Sequence, residues 1–192
     1  MSYSRKGFIL AKTRGGTQAI VTLPVVATAN NAYYLGDCVQ MEQKGATGKV
    51  ERVTASTATL AGVVVAAYKN VGGQKRPLTH SQPTNGPYLT SGQAGFVEVI
   101  TDPRAYFIAA IDTSASAGLT GKYVTVTAGA PNQNSGLSGY GVKAASATAA
   151  NTSSRQFQIV GVSDFETALY GRGVDIPADG GVLVKLANPF FS

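Results

Sequence analysis

The sequence has one cysteine, one histidine and few charges, and each shortage removes a class of answer. A single cysteine, Cys38, allows no internal disulfide, and one histidine, His80, falls short of the three or four Cys, His or carboxylate ligands a zinc site needs. Charged residues make up 14% of the 192 residues, against roughly 25% in an average soluble domain, so the surface is unusually neutral. No apolar run approaches the ~18 residues of a membrane span, and the run after Met-Ser-Tyr-Ser-Arg-Lys is too short for a signal peptide. The expectation is a soluble protein made in a reducing cytoplasm, with no membrane association. No stretch sustains the i, i+3, i+4, i+7 apolar spacing of an amphipathic helix over more than three turns, so helix content is expected to be low. The two best helical stretches are Ala144–Ala150, which lies in a Ser/Thr/Ala tract that reads as loop, and Phe165–Leu169.

What is present is a series of short apolar runs rich in Val, Ile, Tyr and Phe, bounded by Gly, Pro, Asn or Ser. They predict strands at Gly7–Ala11, Ala19–Pro24, Asp37–Glu42, Val50–Val53, Thr59–Tyr68, Tyr88–Thr90, Gly95–Ile100, Ala105–Ile111, Tyr123–Thr127, Arg155–Val162 and Val182–Leu186. Turn signals such as Gly72-Gly73, Asp102-Pro103 and Gly180-Gly181 punctuate them at the spacing of a β-sandwich or small barrel. Ala105–Ile111 is almost wholly apolar and predicts burial on both faces, whereas Glu98 gives Gly95–Ile100 a wet position. The predicted organisation is an N-terminal arm over residues 1–35, interrupted at Arg14-Gly15-Gly16, and one β-rich domain over 36–192. Two short apolar runs are too little to bury themselves, so the arm is expected to add strands to a neighbouring chain.

Charge is uneven. Residues 1–96 carry ten Lys/Arg against Asp37, Glu42 and Glu51, a net +7, and the remainder is −1. That polarity points to an acidic partner, either nucleic acid or an acidic protein surface. The candidate partner-contact residues are Arg5, Lys6, Lys12 and Arg14, interleaved with the apolar Phe8, Ile9, Ile20 and Leu23. The composition suits phosphates and stacked bases, or docking on an acidic protein.

Catalytic chemistry finds little material. His80 lies in a loop between Pro77 and Pro83, and Ser135-Gly136-Leu137-Ser138-Gly139 lacks the strand, elbow and helix context of a nucleophile. Of the acids Asp102, Asp112, Asp164, Glu166, Asp175 and Asp179, Asp102 precedes a proline as turn-starting Asp does, and Asp164 and Glu166 follow a strand end. Gly15-Gly16 and Gly92–Gly95 read as turns and not as phosphate loops. Cys38 reads as a small core residue. The expectation is a protein that is not an enzyme and has no cofactor and no metal.

Several segments in this order resemble head-decoration, or cement, proteins of tailed bacteriophages. They are Leu35-Gly36-Asp37-x-Val39, Leu60–Ala66, Gly95–Val99, the Asp102-Pro103 turn with Tyr106–Ala109, Ser135–Gly139, and Gln156–Val162. The resemblance covers about residues 35–190. It implies a single β-barrel or β-tulip-like domain with an extended N-terminal arm. It also implies a homotrimer on the outer surface of the virion, bound to the major capsid protein and clamping capsomers against packaged DNA, with no specific nucleic acid bound. Two alternatives stay open: another virion part such as a tail or fibre-anchoring protein, or a carbohydrate- or nucleic-acid-binding β-module using Tyr33, Tyr34, Tyr88 and Tyr140 as stacking platforms.

Overall fold

The computed structural model describes residues 7–13, 19–28, 31–42, 48–53, 59–78, 88–113, 115–133, 136–162 and 181–190. Twelve strands run in chain order: β1 (Ile9–Thr13), β2 (Ile20–Pro24), β3 (Cys38–Met41), β4 (Val50–Arg52), β5 (Gly62–Val71), β6 (Gln74–Pro77), β7 (Gly95–Ile100), β8 (Ala105–Ala110), β9 (Tyr123–Thr127), β10 (Gly141–Thr148), β11 (Phe157–Val162) and β12 (Gly181–Leu186). The described residues hold no α-helix and one 3-10 turn, Ala117–Leu119. The described chain is therefore all-β, as its lack of helical spacing predicts, while the helical candidate Phe165–Leu169 lies outside the described residues.

The strands form two antiparallel sheets. The first runs β1-β8-β12-β11-β9-β10; the second runs β2-β7-β5-β3-β4, with β6 hairpinned onto β5. Among the described residues neither sheet closes by a ladder, so the pairing shows two antiparallel sheets and no closed barrel. An isolated parallel bridge brings two strands of each sheet together instead: Ile111, just after β8, meets Val142 of the end strand β10 in the first, leaving β1 outside, and Val25, just after the end strand β2, meets Val50 of the end strand β4 in the second. Five successive antiparallel strands, β8 to β10 in the first sheet and β2 to β4 in the second, leave the outer two parallel, so a twisted sheet that curls back on itself brings them together in that sense.

Two cores form, the second lined by the second sheet and its loops and the first shared between both sheets. The first contains Phe107, Val124, Val126, Tyr140, Val142, Phe157, Ile159, Val182 and Val184. The second contains Val25, Tyr33, Val39, Val50, Val64, Leu89, Val97 and Val99. The predicted double burial of Ala105–Ile111 is found, with only Tyr106 partly exposed in β8. In β7 the buried Val97 and Val99 alternate with the half-exposed Phe96 and Glu98.

Two expectations are corrected. Residues 144–150 do not form a loop throughout: most of the stretch belongs to β10, where the Ser146 hydroxyl oxygen accepts the Thr125 N–H (2.8 Å) and so joins β9 where the backbone register shifts. Nor do the described strands of the segment 1–35 stand apart from the domain. β1 pairs with β8 and β2 with β7 of the same chain, so the segment gives one strand to each sheet. Two short strands that cannot bury each other can each be buried by a different sheet edge.

Both new edges are blunted. Thr101 N–H donates to Ala19 O and Val25 N–H to Gly95 O, which turns the amide positions of residues 20, 22 and 24 outward. Pro24 stands at one of them and has no N–H to offer an incoming strand. In β1 the register shifts between Leu10 and Lys12, a bulge that interrupts the edge.

Candidate functional site

The two sheets meet where three segments cross: Gly7-Phe8, Leu35-Gly36-Asp37 and Gly136–Gly139. Phe8 N–H donates to Gly36 O (3.2 Å), Leu35 N–H to Gly136 O (3.1 Å), Ser138 N–H to Leu35 O (2.8 Å) and Gly36 N–H to Val64 O (2.8 Å). Glycine is required here on two counts. Gly36 has φ +83°, and a Cβ on it would lie 2.7 Å from Phe8 N; a Cβ on Gly7 would lie 2.4 Å from Ser138 Cβ.

A polar cluster is buried at this crossing. Asp37 is fully buried and its Oδ2 accepts the Tyr34 N–H at 2.9 Å, with Arg52 Nε 3.0 Å from the same oxygen. Burial pushes the Asp37 carboxyl up to about 6, against the opposing pull of the Arg52 guanidinium, the Ser138 hydroxyl and the Tyr34 amide. The Arg52 guanidinium carbon lies 5.1 Å from the Tyr140 ring centre and 6.0 Å from that of Tyr34. Tyr34 stacks on Tyr88 with ring centres 4.5 Å apart, and the Tyr140 hydroxyl donates to Val53 O. Beside it, burial raises the Cys38 thiol well above its ordinary range, so the cysteine is a core residue here, as its sequence context predicts. The cluster is a structural weld: one carboxylate holds an amide of its own loop and a guanidinium from β4, next to the segment that comes over from the first sheet.

Of the predicted contact residues, Phe8 is corrected outright. It is buried, stacked on Phe157 (4.4 Å, 14°) and edge-on to Phe107 (6.5 Å), so it anchors the first core. Ile9 pairs with Ile108 and Lys12 with Tyr106 in the β1–β8 ladder. Leu23 packs against the second core, whereas Ile20 at the start of β2 is 48% exposed and remains available to a partner. Arg5, Lys6 and Arg14 lie outside the described residues, as does His80. The structure thus separates Phe8, Leu23 and Ile20, which the sequence grouped. The tyrosine platform is corrected too: Tyr33, Tyr34 and Tyr140 are buried, which leaves no exposed set for sugars or bases.

The acids that can be placed have structural work. Asp102 accepts the Arg104 N–H (2.8 Å) and pairs with its guanidinium (3.0 and 3.2 Å), which holds its carboxyl below the usual range. Asp112 accepts the Ala144 N–H at 2.7 Å, beside the Ile111–Val142 bridge. Asp164, Glu166, Asp175 and Asp179 lie outside the described residues. Among the described residues no three His, Cys, Asp or Glu come together as a metal site would require, and no helix is long and apolar enough to cross a membrane. Sequence reasoning missed the Asp37–Arg52 pair; the signal available was an acid inside an apolar run, Leu35-Gly36-Asp37-Cys38-Val39, where burial forces a partner. Compared with known protein families, with characterised proteins and with solved structures, the chain matches none.

Proposed function

We propose that the chain is a head-decoration protein of a tailed bacteriophage, binding the outer surface of the capsid and cementing neighbouring capsomers. The observation that carries this reading is the crossing itself. Leu35-Gly36-Asp37 and Gly136-Leu137-Ser138, two segments of the resemblance about a hundred residues apart, pair in space through the Leu35–Leu137 bridge. They form the weld between the sheets, so the resembling segments are the ones that build this architecture. In this reading each curled sheet is a barrel-like roll, the assembly is a homotrimer, and the partner is an acidic face of the major capsid protein. The placed acids are consumed in turns and ties, which also favours a structural role over catalysis.

The strand-addition part of the reading changes. With β1 and β2 paired at home, docking falls to Ile20 and to the basic residues Arg5, Lys6, Lys12 and Arg14. Exposed charges are each worth about 0–1 kcal/mol and are screened beyond ~8 Å at physiological salt, so they steer encounter more than they hold the complex. The test is a titration against empty heads and against plain duplex DNA across a salt series. Reversal of the four charges should slow decoration at low salt and matter less at high salt. Tight DNA binding with a slope near −0.9 per phosphate, and no binding to heads, overturns the proposal.

A further inference from the structure

Beyond the sheets, the β5–β6 hairpin carries a charge arrangement that its own fold does not explain. The turn is well made: Gly72 and Gly73 take φ 61° and 83°, the positive values of a type I′ hairpin, and Gly73 N–H donates to Asn70 Oδ1 at 2.8 Å. All four residues of β6 are exposed, and Val71 at the tip is 55% exposed. The register sets Tyr68 opposite Pro77, Lys69 opposite Arg76, Asn70 opposite Lys75 and Val71 opposite Gln74.

Alternation divides the cations between two faces. Lys75 is committed on one face, where its Nζ lies 3.0 Å from Glu98 Oε1, 3.0 Å from Thr22 Oγ1 and 4.9 Å from the Tyr68 ring centre. Lys69 and Arg76 share the other, directly across from each other, and no described carboxylate pairs with either. Like charges at directly opposed positions destabilise a strand pair. A short hairpin with a well-formed turn has no internal reason to hold two cations so placed.

We propose that the Lys69–Arg76 pair and the exposed Val71 tip form a docking element for an acidic protein surface, whose carboxylates sit between the two cations. A protein partner is favoured over nucleic acid because the cations flank an apolar tip, and because two free cations fall well short of the ~6–10 phosphate contacts of a duplex-binding surface. The strand edge is not the contact: in this register the outward amide positions of β6 are those of Lys75 and Pro77, and Pro77 has no N–H. The inference does not depend on the capsid reading, since it applies to any acidic protein partner.

The test uses the full chain with a poly-glutamate peptide as probe, so that it is independent of heads. Lys69→Gln with Arg76→Gln should weaken binding about five- to tenfold, the size of two exposed charge pairs, while Lys122→Gln with Lys143→Gln, an equal loss of charge elsewhere, should weaken it less than about twofold. Lys69→Glu should raise the thermal midpoint, by replacing a repulsive pair with an attractive one, and should still lower poly-glutamate binding. Equal losses from the two double variants, tighter binding to duplex DNA than to poly-glutamate, or a lower midpoint for Lys69→Glu would each overturn the proposal.

Discussion

The two sheets solve the same problem with different materials. Each curls until two of its strands, β8 and β10 in the first and β2 and β4 in the second, meet at one parallel bridge, but the seam of the first is tied by the half-exposed Asp112 accepting the Ala144 amide. The seam of the second is tied by the fully buried Tyr33, whose hydroxyl lies 3.1 and 3.0 Å from the Val26 and Val50 carbonyls and donates to that pair. Their cores differ in ownership as well. The second core is lined by the second sheet and its own loops, whereas the first also takes Cys38, Val53, Leu60, Val63 and Ile100 from the second sheet and Phe8 from the N-terminal segment. One sheet is self-contained, and the other is finished by its neighbour. Damage at the crossing should therefore fall first on the first sheet, and hydrogen exchange resolved by residue can read that order.

The largest effect should come from Phe8→Ala. It removes a ring stacked on Phe157 and edge-on to Phe107 in the borrowed part of the core, and should cost about 3–5 kcal/mol in urea unfolding. A loss under about 1 kcal/mol would return Phe8 to the free arm of the sequence reading.

Next comes the pH dependence of the weld. Asp37 titrates at about 6 when folded against an ordinary 3.8, so the folded chain holds this proton more tightly than the unfolded one. Its contribution thus favours folding fully below about pH 4 and is lost as pH rises through about 6, a change of about 3 kcal/mol at 1.36 per unit. Asp37→Asn should abolish that slope, and the wild-type minus variant difference between pH 4 and 7 isolates it from acids such as Asp102, whose shift runs the other way. Gly36→Ala, forced to φ +83° against Phe8 N, should cost about 1–3 kcal/mol, with amides of β1 exchanging sooner than those of β7.

The smallest effects compare the seams. Tyr33→Phe leaves two carbonyls without their hydroxyl and should cost about 1–2 kcal/mol, whereas the more exposed Asp112→Ala should cost about 1 kcal/mol or less and speed exchange chiefly at Ala144. If both variants loosen both seams alike, the sheets are one cooperative unit and the contrast drawn here is wrong.

Much of the strand pattern was legible in the sequence because alternation and apolar runs are local. Gly95–Ile100 and Tyr123–Thr127 were read with the bounds the structure has, and most others within a few residues. β6 was missed because Gln74-Lys75-Arg76-Pro77 has no apolar residue except its proline; only the Gly72-Gly73 turn implied a returning strand. β10 was missed because Ala, Ser and Thr carry little strand signal and a side-chain hydroxyl completes its pairing. The place of Phe8 was illegible for another reason: nothing local says whether a short strand at a chain terminus pairs at home or abroad. The Asp37–Arg52 pair was half legible, since a carboxylate in an apolar run demands a partner, but which cation answers is a long-range fact.

The capsid reading is tested most directly by electron cryo-microscopy of empty tailed-phage heads incubated with the purified protein. The account predicts added density on the outer face of the shell, at three-fold and quasi-three-fold positions, with the Ile20 end of β2 and the basic N-terminal residues turned towards the capsid. Bare shells with the protein left in solution, or density confined to the inside of the shell, would contradict it.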